Sequence, residues 1–225
     1  ARVVLFDRDA DGHERTVASL QTRDSGVAAA GDVTREADVA AALDACAARF
    51  GGFHGAFNNA GIEGNKGAMT PTAEYPADDF DRVLAINLRG MWNCVRAEIP
   101  RLLAGGGGSI VNTASVLGWK GQPGMGAYSA SKHGVIGITR VAALEYARAG
   151  VRVNALLPGA IETPMLRERA FPKNPGYEEM AKQVHPIGRL GRPEEVAEAA
   201  AWRRAGRAGF VTGHTLAVDG GISAM

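Results

Sequence analysis

The chain has 225 residues, of which 46% are hydrophobic, and this is long enough to form one substantial core in a single α/β domain covering residues 1–225. Its 25 basic and 24 acidic side chains nearly cancel and form no block of like charge, so the composition predicts neither nucleic-acid binding nor attraction to an anionic membrane. No apolar run approaches the roughly 20 residues needed to span a bilayer, and no secretory leader is recognisable, so we expect a cytoplasmic protein with a small-molecule partner.

The first part of the chain alternates short apolar runs with a segment of helical periodicity. Residues 2–6 and residues around 27–29 are predicted strands. The next segment is predicted to be a helix, because five apolar side chains recur on one face: Val39, Leu43, Cys46, Ala47 and Phe50. Gly51 and Gly52 end that helix.

The middle of the chain repeats this alternation. A strand at residues 55–58 leads through a loop rich in glycine and proline to a long helix with an apolar stripe, formed by Phe80, Val83, Leu84, Leu88, Met91 and Val95. A strand at 109–113, a helix from about 127 to 148 and a strand at 151–157 follow. These repeated strand-helix-strand units predict a doubly wound parallel sheet of the Rossmann-like α/β class.

The last part of the chain contains a predicted flap. Residues 163–193 hold five prolines, too many for one regular element, which indicates a flap with short helices that shapes a substrate pocket together with the loop at 62–70. A helix from 193 to about 204 and a strand at 215–218 follow. Cys46 and Cys94 lie on different predicted helices without a ligand pattern, so we expect buried thiols and no metal site.

Tyr128 and Lys132, four residues apart on a predicted helix, are candidates for proton transfer. Side chains at this spacing share one helix face and lie about one turn apart. A free tyrosine has a pKa near 10, so it acts as a general acid or base at neutral pH only beside a cation that favours the phenolate, which Lys132 can supply. The same spacing also occurs on ordinary half-exposed helix faces, so a functional assignment of the pair depends on the residues around it.

Two polar residues belong to those surroundings. Ser115 follows a predicted strand at the carboxyl end of the sheet, where sites of this fold class collect, and its hydroxyl could hold a substrate oxygen or only close a turn. Asn87 interrupts the apolar stripe of the long helix, where an unpartnered amide would cost about 1 kcal/mol or more. We therefore expect Asn87 to hold a backbone group or a water molecule.

The ordered motifs of the chain resemble those of the short-chain dehydrogenase/reductase family. They are Asn58-Asn59-Ala60-Gly61, Ser115 thirteen residues before Tyr128, Tyr128-Ser129-Ala130-Ser131-Lys132, Pro158-Gly159 followed by Thr163, and Asp219-Gly220-Gly221. Together they extend over nearly the whole sequence.

This resemblance implies an NAD(P)-dependent oxidoreductase that interconverts a secondary alcohol and a ketone. Tyr128 would be the general acid/base, Lys132 would lower its pKa and bind the nicotinamide ribose, and Ser115 would orient the substrate oxygen. Asn87 would complete a catalytic tetrad as part of a proton relay through water and the lysine. Because the family commonly forms tetramers, a homotetramer is implied as well.

The resemblance also implies the cofactor contacts. These are Asp32 and Val33 at the adenine, Asn59, Ala60 and Gly61 beside the adenosine ribose, and Ile161 and Thr163 at the nicotinamide amide and phosphate. Asp7 ends the first predicted strand, where a carboxylate accepts both ribose hydroxyls and repels a 2′-phosphate, so we expect NAD rather than NADP. Arg8 works against this expectation, because an arginine there could reach a 2′-phosphate.

The chain departs from the family pattern at its start. The family's glycine-rich turn would lie about 25 residues before Asp7, and no such segment precedes Arg2. We therefore expect a part of a longer protein in which the first strand and helix are missing, two strand ladders are unpaired around an apolar slot, and residues 1–225 alone bind dinucleotide poorly. The alternative is a non-catalytic, cofactor-deficient relative that serves oligomerisation or regulation.

A second departure is the cluster of Arg203, Arg204 and Arg207, which stands where we expect an apolar and acidic helix end. These arginines could cap the C terminus of the helix or face a partner subunit.

Overall fold

The computed structural model describes residues 1–20 and 22–225. Within them, six strands form two parallel sheets: β1 (Val3–Asp7), β2 (Gly26–Ala30), β3 (Gly55–Asn58), β4 (Gly108–Thr113), β5 (Val151–Pro158) and β6 (Thr215–Val218). One sheet contains β1 and β2, and the other has the order β3-β4-β5-β6. Helices join consecutive strands, so the predicted Rossmann-like α/β fold is confirmed.

The same residues form α-helices that cover the sheets: α1 (Ala10–Ser19), α2 (Glu36–Phe50), α3 (Ala77–Leu84), α4 (Met91–Ala104), α5 (Gly126–Tyr146), α6 (Phe171–Lys173), α7 (Tyr177–Val184) and α8 (Pro193–Arg204). A π-helical turn, Ala85–Gly90, joins α3 to α4, and another, Met165–Ala170, opens the flap. None of these helices is long and apolar enough to cross a membrane.

Most element bounds agree with the sequence prediction to within one or two residues, with two exceptions. Helix α1 was not predicted, because its polar sequence has no apolar stripe, and His13 is its buried residue. Phe80 was predicted to lie on the apolar stripe of the long helix, which is wrong: its side chain is 38% exposed, whereas Val83 is fully buried. Phe80 lies in the first turn of α3, beyond the part of the helix that the core covers.

The centre of the core lies on β4 and β5. Helices α4 and α5 cover one face of these strands, and α8 covers the other, as expected for parallel strands that are buried on both faces. The contacting side chains are Val95, Ile99, Leu102, Ile110, Ala142, Ala143, Val151 and Val153 on the first face, and Val111, Leu156, Val196 and Ala200 on the second. Burial of each large apolar side chain contributes about 1.5–3 kcal/mol.

A cavity of about 840 Å³ separates the two sheets. All of β1 and all of β3 line this cavity, and within the described residues these two strands share no ladder. Most other lining side chains are apolar, including Val39, Leu43 and Met91. The unpaired ladders and the apolar slot that the sequence predicts are therefore present between β1 and β3.

Arg203 occupies an unexpected position, because its side chain is only 1% exposed. Its guanidinium lies 3.4 Å from Asn154 Oδ1 and 2.6 Å from His214 Nδ1, while its Nε is buried without a partner. The carbonyls at the end of α8 are capped instead by Arg152, which donates to Arg203 O at 3.0 Å and to Ala205 O at 3.3 Å. Burial lowers the pKa of the Arg203 guanidinium.

Candidate active site

The predicted site residues converge where the strands end. Asn59 follows β3, Ser115 follows β4 and Gly159 follows β5, and the carboxyl ends of parallel strands meet at one edge of a sheet. Helix α5 carries Tyr128 and Lys132 in its first two turns and packs against β5 and the turn after β4. The fold therefore brings together residues that lie far apart in the chain.

Lys132 is buried beside Tyr128. Its Nζ donates to Thr113 O at 2.7 Å and lies 5.6 Å from the centroid of the Tyr128 ring. Burial lowers the pKa of Lys132 to about 8. The ammonium is thus held by the carbonyl at the end of β4, over the face of the tyrosine ring.

Tyr128 and Ser115 lie close together in the candidate site. The Ser115 Oγ accepts a hydrogen bond from Leu117 N at 3.1 Å, which fixes the hydroxyl in its turn. Desolvation raises the pKa of Tyr128 to about 12, a hydrogen bond from Ser115 partly offsets this rise, and the nearby Tyr177 and Glu63 add to it. Because Lys132 points at Thr113 O, the predicted lowering of the Tyr128 pKa by the lysine stays a prediction for the cofactor-bound site.

Asn87 is fully buried in the π-helical turn between α3 and α4. Its Oδ1 accepts from Ile62 N and its Nδ2 donates to Ile62 O, both at 2.8 Å, so it holds a backbone group as expected. A β-carbon on the neighbouring Gly61 would lie 3.3 Å from Asn87 Oδ1 and 3.5 Å from Lys132 Nζ. Asn87 therefore fixes the loop after β3 beside the lysine, and its role in a proton relay stays a prediction.

The loop after β3 rests on a chain of buried polar side chains. Asn58 Nδ2 donates to Asn112 Oδ1 and to Glu98 Oε2, both at 3.0 Å, and Asn112 Nδ2 donates to Thr139 Oγ1 at 3.0 Å. Burial raises the pKa of Glu98 to about 7, against the effect of the Asn58 hydrogen bond. Sequence reasoning missed Glu98, although its position between Val95 and Leu102 on the apolar stripe is a usable signal.

The predicted adenine and ribose contacts lie at the ends of β1 and β2. Asp7 Oδ1 accepts from the amides of Arg8 at 2.6 Å and Asp9 at 3.1 Å. The Arg8 guanidinium lies 3.6 Å from Asp32 Oδ2, and the hydrogen bond from the Thr34 amide lowers the pKa of Asp32.

Two of the other predicted cofactor-binding residues accept hydrogen bonds from side chains elsewhere in the chain. Val33 O accepts from Asn93 Nδ2 at 3.0 Å, and Asn59 Oδ1 accepts from Thr113 Oγ1 at 2.9 Å. Both contacts tie loops after strands to helix α4 or to β4, so the edge of the sheet is preorganised.

The predicted flap and loop meet over the site. Asn174 links them, since its Nδ2 donates to Gly67 O at 2.7 Å and its Oδ1 accepts from Met69 N at 3.0 Å. Glu63, which sequence reasoning also missed, is 8% exposed, and both of its carboxylate oxygens lack a hydrogen-bond partner among the described residues. Arg169 of the flap lies 3.8 Å from Glu63.

Comparison with known proteins adds a family and several relatives. A family model described as Enoyl-(Acyl carrier protein) reductase matches residues 1–223. The 2,5-dichloro-2,5-cyclohexadiene-1,4-diol dehydrogenase of Sphingobium indicum is 46% identical over 195 residues, which cover 86% of this chain and 76% of that protein. The cyclohexanol dehydrogenase of an Acinetobacter species is 41% identical over 220 residues, covering 97% of this chain and 83% of that protein.

Solved structures show the same likeness. The crystal structure of levodione reductase superimposes with a TM-score of 0.93 at 39% identity and covers 100% of this chain and 88% of that one. A 3-ketoacyl-(acyl-carrier-protein) reductase from Brucella melitensis complexed with NADH has a TM-score of 0.90 at 35% identity, covering 99% and 88%. ElxO with NADP bound has a TM-score of 0.89 at 27% identity, covering 100% and 89%.

Proposed function

The chain belongs to the short-chain dehydrogenase/reductase family, and from this premise we propose that it interconverts a cyclic secondary alcohol and its ketone, with NAD as the preferred cofactor. Its relatives are named dehydrogenases and reductases, and the chain is an NAD(P)-dependent oxidoreductase; the non-catalytic alternative is not favoured. The observation that carries the proposal is the convergence of Tyr128, Lys132 and Ser115 beneath the flap.

The described residues fit the ribose and nicotinamide portions of a nicotinamide dinucleotide along the edge of the sheet. Both amide hydrogen bonds of Asp7 fall on Oδ1, which leaves Oδ2 for a ribose hydroxyl. Glycine at position 61 lets the loop after β3 approach Lys132 closely. When bound, the nicotinamide ring supplies the hydride acceptor for oxidation and the hydride donor for reduction.

The protein's own residues carry out the proton transfer. In the oxidation, Tyr128 takes the hydroxyl proton of the alcohol while Ser115 holds the substrate oxygen. The pKa of Tyr128, about 12, must fall for this step, and Lys132, with a pKa of about 8, carries the positive charge that lowers it at neutral pH. Movement of the ammonium from Thr113 O toward the phenol would deliver that stabilisation.

The preference for a cyclic substrate is supported by the names of the relatives. A cyclohexanol dehydrogenase and a cyclohexadienediol dehydrogenase are both more than 40% identical to this chain. The flap contributes two aromatic side chains, Phe171 and Tyr177, which pack edge to face with ring centroids 5.7 Å apart, and Tyr177 lies close enough to Tyr128 to raise its pKa.

The preference for NAD is supported by charge. The Asp7 carboxylate repels a 2′-phosphate, and Asp32, 3.6 Å from the Arg8 guanidinium, offsets part of the charge with which Arg8 would attract one. Structural neighbours contain NADH in one case and NADP in another, so the test is the ratio of kcat/KM values for the two cofactors in the complete protein. A higher value with NADP would reject this part of the proposal.

We also propose a cytoplasmic homotetramer. In support, helix α5 leaves Val141 and Leu144 exposed by 54% and 84%, an apolar surface that a second copy could cover. Gel filtration of the complete protein at the size of a monomer would reject the assembly.

Activity is tested with cyclohexanol and NAD, followed by the absorbance of reduced nicotinamide. We expect turnover by the complete protein and a matching ketone product. Absence of turnover with cyclohexanol and with a set of substituted cyclic alcohols, by a protein shown to bind NADH, would overturn the proposal.

A further inference from the structure

The turn after β5 is held by the far end of the flap. Ala160 O accepts from Gly191 N at 2.9 Å, and Glu162 N donates to Gly191 O at 2.8 Å. These bonds form an isolated parallel bridge between Ile161 and Gly191. One backbone group of this turn, the Ala160 amide, is held by a side chain instead: His185 Nε2 accepts from Ala160 N at 3.1 Å.

The two hydrogen bonds of His185 define which of its ring nitrogens carries a proton. Nδ1 lies at hydrogen-bond distance from Ala181 O, a carbonyl that only accepts, so Nδ1 carries a proton. Nε2 receives a proton from the Ala160 amide, so Nε2 must present its lone pair. The buried ring is therefore the tautomer that carries its proton on Nδ1 and accepts at Nε2.

The His185 ring packs directly against the turn that follows β5. A β-carbon at Gly159 would lie 2.5 Å from His185 Nε2 and 3.0 Å from Asp219 Cα, so the Pro158-Gly159 pair needs glycine for this close approach. Three ionisable groups face the ring from the elements around it. They are Asp219, after β6, whose oxygens accept from Gly221 N and Ser223 N, and the ion pair of Arg189 with Glu195 across a cavity of about 320 Å³.

We propose that His185 is a positioning residue for the nicotinamide side of the site, where its neutral ring holds the turn 158–163 through the Ala160 amide. The inference rests on the proposed function, because Ile161 and Thr163 of this turn are the expected nicotinamide contacts. His185 touches neither substrate nor cofactor in this role. It fixes the backbone from which those contacts project.

Two substitutions separate this role from simple capping of α7. His185→Gln keeps an acceptor near the position of Nε2 and loses the Nδ1 donor, whereas His185→Asn keeps a donor near Nδ1 and loses the acceptor for Ala160. We expect His185→Asn to weaken NADH binding about tenfold, the effect of one lost hydrogen bond, and His185→Gln to stay within about threefold of wild type. Titration of NADH fluorescence with the complete protein measures both.

A matched control is available on α5. His133 makes the same kind of bond from Nδ1 to a carbonyl four residues earlier, Ser129 O at 2.9 Å, but its ring is exposed. His133→Asn should leave NADH binding unchanged. Thermal unfolding of all variants shows whether any loss of affinity follows from loss of folded protein.

A second readout needs no cofactor. Amide hydrogen exchange should show a protection factor at Ala160 that falls in His185→Asn, because the acceptor for the amide is lost, and that stays close to wild type in His185→Gln. Equal NADH affinities for the two variants, or greater damage from His185→Gln, would overturn the inference, as would an unchanged protection factor at Ala160 in His185→Asn. Absence of dehydrogenase activity in the wild type would instead overturn the proposed function.

Discussion

The two sheets of the molecule contain similar apolar strands but are held in place differently. β4 and β5 each pair with a strand on both sides, and residues such as Ile110 and Leu156 are fully buried. β1 and β2 pair with each other, and every residue in them keeps some exposure to solvent. The candidate catalytic residues therefore lie beside strands that cannot move without breaking two ladders. Asp7 and Asp32 lie at the ends of strands that each take part in only one ladder of the described chain.

Side chains, rather than ladders, link the β1-β2 sheet to the rest. Phe6 and Val33 pack against helices α2 and α4, next to Leu43 and Cys94. Glycine at position 90 lets Val33 approach α4, since a β-carbon there would lie 2.6 Å from Val33 Cγ2. Within residues 1–225, side-chain packing therefore joins the sheet that carries Asp7 to the sheet that carries the candidate catalytic residues.

The largest effect should come from Tyr128→Phe, which removes the proton donor of the β3-β6 half. We expect kcat to fall by about 10²–10⁴, because a positioned general acid/base contributes this much, while NADH affinity and the midpoint of unfolding stay unchanged. Tyr146→Phe, at the other end of α5, is the control and should retain full activity. Steady-state kinetics measure kcat for both variants, and a kcat of Tyr128→Phe within about tenfold of wild type would show that another group transfers the proton.

The sequence predicted the candidate catalytic residues better than the residues that support them. Tyr128, Lys132 and Ser115 were predicted because they stand in ordered motifs, and Asn87 because it interrupts an apolar stripe; helical and strand periodicity located most elements. Glu98 carries the same signal as Asn87, a polar residue on an apolar helix stripe, but it was not singled out. His185 has no such signal, because its significance arises from burial against residues distant in sequence.

Glu98 supplies the second prediction, since it joins the slot to the network beneath the site. Burial raises its folded-state pKa from 4.5 to about 7, so the folded protein binds an extra proton between these values and stability falls as pH rises through them. Glu98→Gln keeps an acceptor for Asn58 and does not titrate. We expect the variant to be more stable than wild type by up to about 3 kcal/mol at pH 8, and by much less at pH 4.5.

Urea unfolding at both pH values tests this expectation, with Glu198→Gln on the exposed face of α8 as the control. A pH-independent difference between Glu98→Gln and wild type would mean that the carboxyl does not change protonation on folding.

Arg203 supplies the third prediction, within the better-paired half. Its guanidinium is buried with an unpartnered Nε and no carboxylate among its hydrogen-bond partners in the described residues. Arg203→Leu should therefore stabilise the fold by about 1–2 kcal/mol, because removal of a poorly compensated buried charge outweighs the lost hydrogen bonds. Arg204→Leu, one residue later and exposed, should change the unfolding free energy by less than about 0.5 kcal/mol. Destabilisation by Arg203→Leu would show that the bonds to Asn154 and His214 outweigh the cost of burial.

The smallest expected effect tests the comparison of the two sheets most directly. Amides of β2, which pair only within the two-stranded sheet of the described chain, should exchange up to about tenfold faster than amides of β5, because β1 and β2 can move away from the other sheet without breaking the ladders of β3-β6. Hydrogen exchange measured by mass spectrometry resolves both strands. NADH should narrow the difference if Asp7 and Asp32 bind its adenosine half, since a ligand that bridges both sheets stabilises the closed state of each. Equal exchange rates without NADH would mean that the contacts of Phe6 and Val33 hold the β1-β2 sheet as firmly as a ladder does, and the two halves would then have to be treated as one unit.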